Sequence, residues 1–397
     1  MDTSQKNVKY YQYHRYHPYT PTYKNNDEIR IPVNSEELCT VPGDSKIYIE
    51  GSCSFKKKTG ATTASKIEFG SNAFAFLFDQ VRYELHGTVI DSSKKNGVTS
   101  TVKTFTTNCT QDCKALELTG WKEPTFNSNN QFYALIPLSH FLGFGSCKNV
   151  VFYMRQELIL IRSRTDNSFY CYIEGSDQED VTVTISSVQW IMPQVKFNLG
   201  PEKMILDKVK NNASFQLGFK NWETHVYPQL PKNNRETWKL MTSTNVEAPT
   251  HIIVVFQTDR MENNLTKAGV FDHVKLRSLK VHLNSNSLPY ETMDENFDRN
   301  KYLYFYQNYI NFVNEMSLTS RGGIGEPLIS MEQFKTENPI FITKCLYEDI
   351  LKPGPLDIRI DFEAEENFPE NTAVYAILVH DVMYSYQSLS GVVKRIQ

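Results

Sequence analysis

Short runs in which apolar and polar residues alternate recur along most of the chain. Clear examples are Ile29–Val33, Lys46–Glu50, Val81–Leu85, Val181–Ile185 and Leu356–Ile360. Successive side chains of a β-strand point to opposite faces, so a period of two indicates a strand with one buried face. Glycine, asparagine, proline and serine separate the runs, as turns require. The pattern predicts a protein built mainly of short antiparallel strands.

Three segments break this alternation in a way that predicts helices. Val98–Thr107 and Leu138–Phe144 are short, and Asn296–Asn314 is longer, with aromatic residues at helical spacing. Many short strands with few helices favour a sandwich or a barrel. We therefore expect an all-β fold with a few short helices.

One sequence pattern occurs twice, which indicates an internal duplication. Phe78-Asp-Gln-Val-Arg82 is echoed by Phe271-Asp-His-Val-Lys275, at an offset of 193 (271 minus 78). The same offset places the strand-like segment Val181–Trp190 on Val374–Met383. We expect two β-sandwiches side by side, joined near Pro193, which would end a strand.

The segment 1–28 differs in composition from the rest of the chain. Beside two prolines, His14, Arg15 and His17 it carries six tyrosines. These are Tyr10, Tyr11, Tyr13, Tyr16, Tyr19 and Tyr23. One interpretation is a disordered polar terminus, since chain ends are often loose. A solvated tail has little use for so many aromatic rings, however, and tyrosine offers apolar area with a polar tip. The composition therefore favours an arm that packs on a neighbour.

Composition and charge exclude several classes of function. The chain has 397 residues, among them 24 Phe and 22 Tyr, and a net charge of -3. Such a near-neutral chain does not predict direct, sequence-specific binding of nucleic acid. It has no apolar stretch of the ~20 residues that a membrane-spanning helix needs, and its start lacks the apolar core of a secretory signal.

The candidate metal ligands in the sequence are isolated. The seven cysteines are odd in number and scattered, which favours a reducing compartment over a disulfide framework. Cys109 and Cys113 are spaced like half of a zinc site, but no second pair of Cys or His accompanies them, so two loop thiols are the better interpretation. His14 and His17 likewise have no partner at metal-ligand spacing.

Signatures of catalysis are also missing from the sequence. His380-Asp381 resembles the metal-binding pair of phosphohydrolases, but it ends an apolar strand-like run, so a polar pair at a strand end is the better interpretation. The chain has no nucleophile elbow, phosphate-binding loop or dinucleotide fingerprint. We therefore expect no catalytic residues, no metal and no cofactor, and a structural or binding protein rather than an enzyme.

Several stretches resemble, in the same order, those of one known family. They are Phe78–Asp91, Ile136–Phe144, Glu157–Arg164, Val188–Val195, Phe271–Val274, Leu283–Glu291 and Pro369–Asp381. Their order over residues 30–395 resembles the double jelly-roll major capsid protein lineage, in the short form found in Polinton-like and adintovirus-like elements and in insect double jelly roll-like proteins. The segment before residue 28 is outside the resemblance.

The resemblance implies a fold of two tandem eight-stranded jelly rolls. The first roll would span residues 29–192 and the second residues 193–397, after the tyrosine-rich arm of residues 1–28. Trp190 and Pro193 would lie at the junction between the rolls, because they match the family's W-x-x-P junction. The six tyrosines of the arm would make contacts between subunits.

The resemblance also implies a structural role. Three chains, each with two similar rolls, would form a homotrimer of pseudo-hexagonal outline that tiles an icosahedral shell. Its partners would be other copies of the chain and, beyond them, penton and minor capsid proteins. The protein would reside in the virion capsid, after assembly in a reducing compartment of the host cell, nucleus or cytoplasm.

Two alternatives stay open at this point. A host-domesticated copy would keep the fold for another intracellular role, and its genomic neighbourhood would distinguish it from a viral protein. A glycan-binding or glycan-processing double jelly-roll protein would carry a secretory signal and clustered acidic or aromatic residues.

Overall fold

The chain forms two compact units that interleave in sequence. Unit 1 comprises residues 1–100, 115–221 and 381–397, and unit 2 comprises residues 101–114 and 222–380. The predicted boundary between rolls at residues 192 and 193 stays a prediction. The computed structural model describes residues 8–34, 39–56, 67–121, 130–173, 180–240, 248–321, 323–345 and 356–396. Residues 1–7 of the predicted arm lie outside the described residues.

Two large sheets and one short one make up most of unit 1. Its first strands are β1 Val8–Tyr16, β2 Glu28–Val33, β3 Cys39–Thr40, β4 Lys46–Lys56, β5 Ile67–Glu68, β6 Phe78–Leu85, β7 Thr88–Lys94, β8 Gln131–Pro137, β9 Val151–Phe152, β10 Gln156–Arg162, β11 Cys171–Tyr172 and β12 Asp180–Phe197. One large sheet has the order β8-β4-β12-β3-β9, with β1 paired to β12, and the other has the order β2-β10-β6-β7. The short sheet pairs β5 with β11.

Alternating burial along the strands forms the core of unit 1. In β2, Ile29, Ile31 and Val33 are buried, whereas the residues between them are half-buried. The same core includes Trp190, Ile47 and Ile49 of β4, Val81 of β6 and Leu158 of β10. The period of two in the sequence therefore reflects strands that turn one face to this core.

The remaining strands form two further sheets. They are β13 Phe215–Tyr227, β14 Arg235–Leu240, β15 His251–Thr258, β16 Leu276–Leu283, β17 Asn286–Leu288, β18 Phe341–Lys344, β19 Ile358–Ala364, β20 Thr372–Gln387 and β21 Val392–Arg395. One sheet has the order β13-β20-β15-β18, with β21 paired to β20, and the other has the order β14-β19-β16-β17. β13 and β20 each have residues in both units, and β21 belongs to unit 1.

The core of unit 2 is rich in aromatic rings. Its strand β15 is buried on both faces from His251 to Gln257. Phe256 in this strand lies against the rings of Phe341, Phe362 and Phe368, with centroid separations of 5.9, 5.5 and 6.4 Å. Part of the high phenylalanine content is therefore used to fill a core.

The two four-stranded sheets have the same strand order, which confirms the predicted duplication. β2, β10, β6 and β7 in the first sheet correspond to β14, β19, β16 and β17 in the second. The predicted single offset of 193 is wrong for these strands. Phe78 begins β6, whereas Phe271 lies ahead of Leu276, the first residue of β16, so these strands are offset by 198 (276 minus 78). A turn through Val274 and Lys275, both with positive φ, lies between Phe271 and the start of β16 and accounts for the difference between the two offsets.

Most of the predicted helical segments are helical. The α-helices are α1 Asn96–Thr107, α2 Cys113–Glu117, α3 Leu138–Phe141, α4 Leu199–Lys210, α5 Leu303–Arg321 and α6 Met331–Thr336. α1 and α3 lie where the pattern predicts them, and a short 3-10 helix, Gly143–Ser146, follows α3. None of the helices in the described ranges is long and apolar enough to cross a membrane.

Two helices differ from the sequence prediction. α5 begins at Leu303 and not at Asn296, because Asn296 bridges to Lys301 in a tight turn before the helix. α4 is absent from the sequence prediction, since Ile205 is its only fully buried residue. A single buried position leaves no periodic apolar face to detect.

Pro193 does not end a strand, because β12 continues through it to Phe197. Proline lacks the N–H donor but keeps its carbonyl, and the Pro193 carbonyl accepts a hydrogen bond from the Val41 N–H at 3.0 Å. Gln194 and Val195 then pair with β3. The prediction that the strand stops at Pro193 is therefore wrong.

Candidate functional site

The tyrosine-rich segment forms a strand at the edge of the six-stranded sheet of unit 1. β1 runs antiparallel to the end of β12, with Tyr11 opposite Val195, Tyr13 opposite Pro193 and Tyr16 opposite Trp190. Tyrosine favours the extended backbone of a strand, which explains why this segment folds as one. Residues 8–16 are therefore an ordered part of the sheet and not a loose tail.

The side chains of β1 expose tyrosine on both faces of the strand. Only Val8 and Tyr16, at its two ends, are half-buried, and all the residues between them are exposed. Tyr10, Tyr11 and Tyr13 keep 42%, 40% and 54% of their surface accessible. The rings of Tyr11 and Tyr13 meet edge to face at 5.6 Å. The exposed rings offer aromatic area with polar tips, a composition typical of protein interfaces.

Two polar contacts fix β1 to the rest of unit 1. The Tyr11 hydroxyl donates to the Asp44 Oδ2 at 3.1 Å, and Lys148 pairs with the same carboxylate at 2.5 Å. Burial, and then the Asp44 charge, raise the pKa of Tyr11, so its phenol stays a proton donor at neutral pH. At the other end, the Gln194 Nε2 donates to the Tyr16 hydroxyl at 2.5 Å.

The linker between β1 and β2 contains the last two predicted tyrosines. The Tyr19 N–H donates to the Arg30 carbonyl at 3.1 Å, and the Tyr19 side chain is 55% exposed. Tyr23 packs partly buried against the core of unit 1, and its carbonyl accepts a hydrogen bond from the buried Arg162 Nε at 3.3 Å. Tyr19 therefore belongs to the exposed set, whereas Tyr23 anchors the linker.

Trp190 lies in the interior of unit 1. Its side chain is fully buried, its indole N–H donates to the Ser45 Oγ at 2.9 Å, and its ring meets Tyr83 edge to face at 6.2 Å. These contacts all lie within unit 1. The predicted role of Trp190 and Pro193 at a junction between rolls stays a prediction.

The cysteine and histidine candidates are dispersed in the structure. Cys109 is buried, and its Sγ lies 3.2 Å from the Ser317 Oγ, whereas Cys113 begins α2. His14 is an exposed residue of β1, opposite Met192. Within the part of the chain that the structure describes, no group of three or more His, Cys, Asp or Glu is placed to hold a metal ion.

His380 and Asp381 have separate partners. The Asp381 carboxylate pairs with Lys220 at 2.9 Å. The buried His380 Nε2 lies 3.7 Å from the Glu223 Oε2, and the other oxygen of Glu223 lies 3.2 Å from the His225 Nε2. Glu223 and His225 are not among the residues that the sequence predicts for a site. Their i, i+2 spacing places them on one face of a strand, but nothing in the sequence links that strand to His380.

Comparison with protein families identifies the class of protein. Residues 67–384 match the family model of the Double jelly roll-like domain. The chain therefore belongs to the double jelly roll-like family, as its two sheets of equal strand order also indicate. No curated protein matches the chain.

Solved structures of similar fold come from viruses. A chain in the cryo-EM structure of the Sputnik virophage has a TM-score of 0.63 at 7% identity, covering 98% of this chain and 89% of that one. For the mavirus major capsid protein the TM-score is 0.57 at 9% identity, with coverage of 96% and 89%. For the Faustovirus major capsid protein it is 0.56 at 9%, with coverage of 94% and 90%.

At such identities the likeness is one of fold. The comparisons therefore show a double jelly-roll fold for this chain.

Proposed function

We propose that this protein is the major capsid protein of a double jelly-roll DNA virus or virus-like element and that three copies form a pseudo-hexameric homotrimer. The observation that carries the proposal is the shared strand order of the two four-stranded sheets. A chain with two equivalent rolls supplies six rolls per trimer. Six similar rolls give a near-hexagonal outline, and hexagonal units tile a shell.

The proposal extends from the trimer to an icosahedral shell. The sequence resemblance favours an element of the Polinton or adintovirus kind, with penton and minor capsid proteins as further partners. The net charge of -3 gives the chain no electrostatic means of condensing nucleic acid. Assembly inside the host cell, in nucleus or cytoplasm, suits a chain with an odd number of cysteines.

Two sets of residues have proposed roles in this assembly. The exposed tyrosines of β1, together with Tyr19, contact neighbouring subunits, since aromatic residues are enriched at protein interfaces. Trp190 and Pro193 lie where the first roll, residues 29–192, joins the second, residues 193–397.

Light scattering on the purified protein, followed by electron microscopy of the same peak, tests the proposal. We expect a species of three times the chain mass of 45.9 kDa, with hexagonal outlines or complete shells. A species of 45.9 kDa that does not associate at any concentration or salt would contradict the capsid role. Screening that monomer for glycan binding would then test the remaining alternative.

A further inference from the structure

We propose that β1 is an exchangeable strand: in the assembled shell it leaves its own β12 and pairs with β12 of a neighbouring copy of the chain. This inference rests on the proposed function, because it requires assembled copies. In the shell, residues 8–16 of a second chain would pair with the free edge of β12.

The edge of β12 that faces β1 needs a partner strand. Ile191 pairs with Lys46 of β4 on one side and with Arg15 of β1 on the other. Gln194 likewise has a partner in β3 on one side and in β1 on the other. Without β1, residues 190–197 would present an open row of backbone donors and acceptors, which natural sheets avoid. Only a strand of matching register covers it, and every copy of the chain carries one.

β1 is weakly attached to its own unit. Its central residues are all exposed, so it contributes little to the core beyond the half-buried Val8 and Tyr16. What holds it is the ladder with β12 and the hydrogen bonds of Tyr11 and Tyr16. The partners in those bonds, Asp44 and Gln194, occur identically in a neighbouring copy. Exchange therefore conserves every contact that β1 makes.

The segment that connects β1 to β2 is long enough to let β1 reach a neighbouring chain. Residues 17–22 precede the anchored Tyr23 and include Pro18 and Pro21. Six extended residues reach about 20 Å. The only backbone hydrogen bond described in this stretch joins Tyr19 to Arg30, and the Arg155 guanidinium donates to the Tyr19 hydroxyl at 3.5 Å. These two bonds open while the Tyr23 anchor on Arg162 stays closed. Proline favours the extended conformation that such a crossing needs.

Whether β1 pairs with its own β12 or with that of a neighbour depends on the effective concentration of each partner. Since both forms make the same contacts, an isolated chain keeps its own β1, which has the higher effective concentration. The exchange requires that the shell hold a neighbouring β12 within the ~20 Å that residues 17–22 span, where it ties subunits together at no loss of contacts.

Two variants, each with one added cysteine and kept in separate chains, test the exchange. One chain carries Arg15→Cys and the other Ile191→Cys, which are directly opposite in the β1–β12 ladder, at a spacing that a disulfide spans. Both carry Cys113→Ser, because Cys113 is the one native thiol that is not buried. The chains are mixed, assembled under reducing conditions, oxidised and run on a non-reducing gel.

We expect a covalent pair of chains at about twice 45.9 kDa in shells and none in unassembled protein. A matched control uses Ser54→Cys in one chain and Thr182→Cys in the other, an exposed pair opposite each other in the β4–β12 ladder of the same sheet. That mixture should give no covalent pair in either state.

A double variant with Arg15→Cys and Ile191→Cys in one chain completes the experiment. Oxidised before assembly, it should close within the chain and reduce the yield of shells at least tenfold, with recovery after reduction. Normal shells from the oxidised double variant, or mixed shells without the covalent pair, would overturn the exchange while leaving the capsid role intact. Unmodified protein that forms neither trimers nor shells would contradict the capsid role itself.

Discussion

The two edges of β12 show how one strand serves folding and assembly with different side chains. Where β12 pairs with β4, its inward residues Val188 and Trp190 are fully buried. Where it pairs with β1, Tyr10, Tyr11 and Tyr13 of the partner strand stay 40% to 54% exposed. The backbone bonds are of the same kind on both edges. The difference lies in what the side chains bury, so damage to one edge should appear in unfolding and damage to the other in assembly.

Removing the buried ring should have the largest effect on stability. Trp190→Ala leaves a cavity in the core of unit 1 and removes the hydrogen bond to Ser45. We expect the free energy of unfolding to fall by about 3–5 kcal/mol. Chemical denaturation of the two proteins measures the loss. A variant with an unchanged midpoint would show that Trp190 does not support the core.

The thiols of Cys39 and Cys53, which lie in two strands that pair with β12, should respond differently to loss of β1. Burial raises the pKa of Cys39 to about 11 and that of Cys53 to about 12. A thiol needs its thiolate form to react, so at pH 8 Cys39 should label about 100-fold and Cys53 about 1,000-fold more slowly than in unfolded protein. Because thiolate rises with pH, labelling should accelerate as pH approaches these values.

Deleting residues 1–16 should then separate the two thiols. Cys39 belongs to a small apolar cluster against which Val8 packs, so its labelling should accelerate roughly tenfold when β1 is absent. Cys53 lies in the main core and should keep its slow rate, which provides the internal control. Equal acceleration of Cys39 and Cys53 would mean that β1 stabilises the whole of unit 1 and not only the small apolar cluster around Cys39.

Changing the exposed tyrosines should have the smallest effect on stability. Tyr10→Ala with Tyr13→Ala removes rings that are about half exposed, so the free energy of unfolding should change by no more than about 0.5 kcal/mol per site. Shell yield, measured by sedimentation, should nevertheless fall if these rings contact neighbouring subunits. Lys239→Ala, at another exposed strand position, is the matched control and should leave shell yield unchanged.

The sequence predicts those parts of the fold that local patterning determines. Ile29–Val33 shows the alternation of a one-faced strand, and it is one. Asn296–Asn314 shows a helical spacing of aromatic residues, and most of it lies in α5. Errors occur where a longer-range contact decides. β12 passes through Pro193 because Val41, which is remote in sequence, supplies a donor to its carbonyl.

In the candidate site, too, local composition is predictive and long-range pairing is not. The tyrosine content of the segment 1–28 predicts a contact surface, but the pairing partner of β1 was not evident from it. Tyr11 lies opposite Val195, near the middle of the chain, and no short-range pattern encodes that register. The grouping of His380 with Glu223 and His225 is invisible in the sequence for the same reason.

The equal strand order of the two four-stranded sheets also bears on how the chain tolerates changes in length. The first positions of β6 and β16 differ by 198 (276 minus 78), those of β10 and β19 by 202 (358 minus 156), and those of β2 and β14 by 207 (235 minus 28). The sheets kept their order while the connections between strands grew or shrank, and lengthening a surface connection costs little free energy. Foreign peptides should therefore be accepted in these connections, which makes them the natural places to display an epitope or attach a fluorescent label.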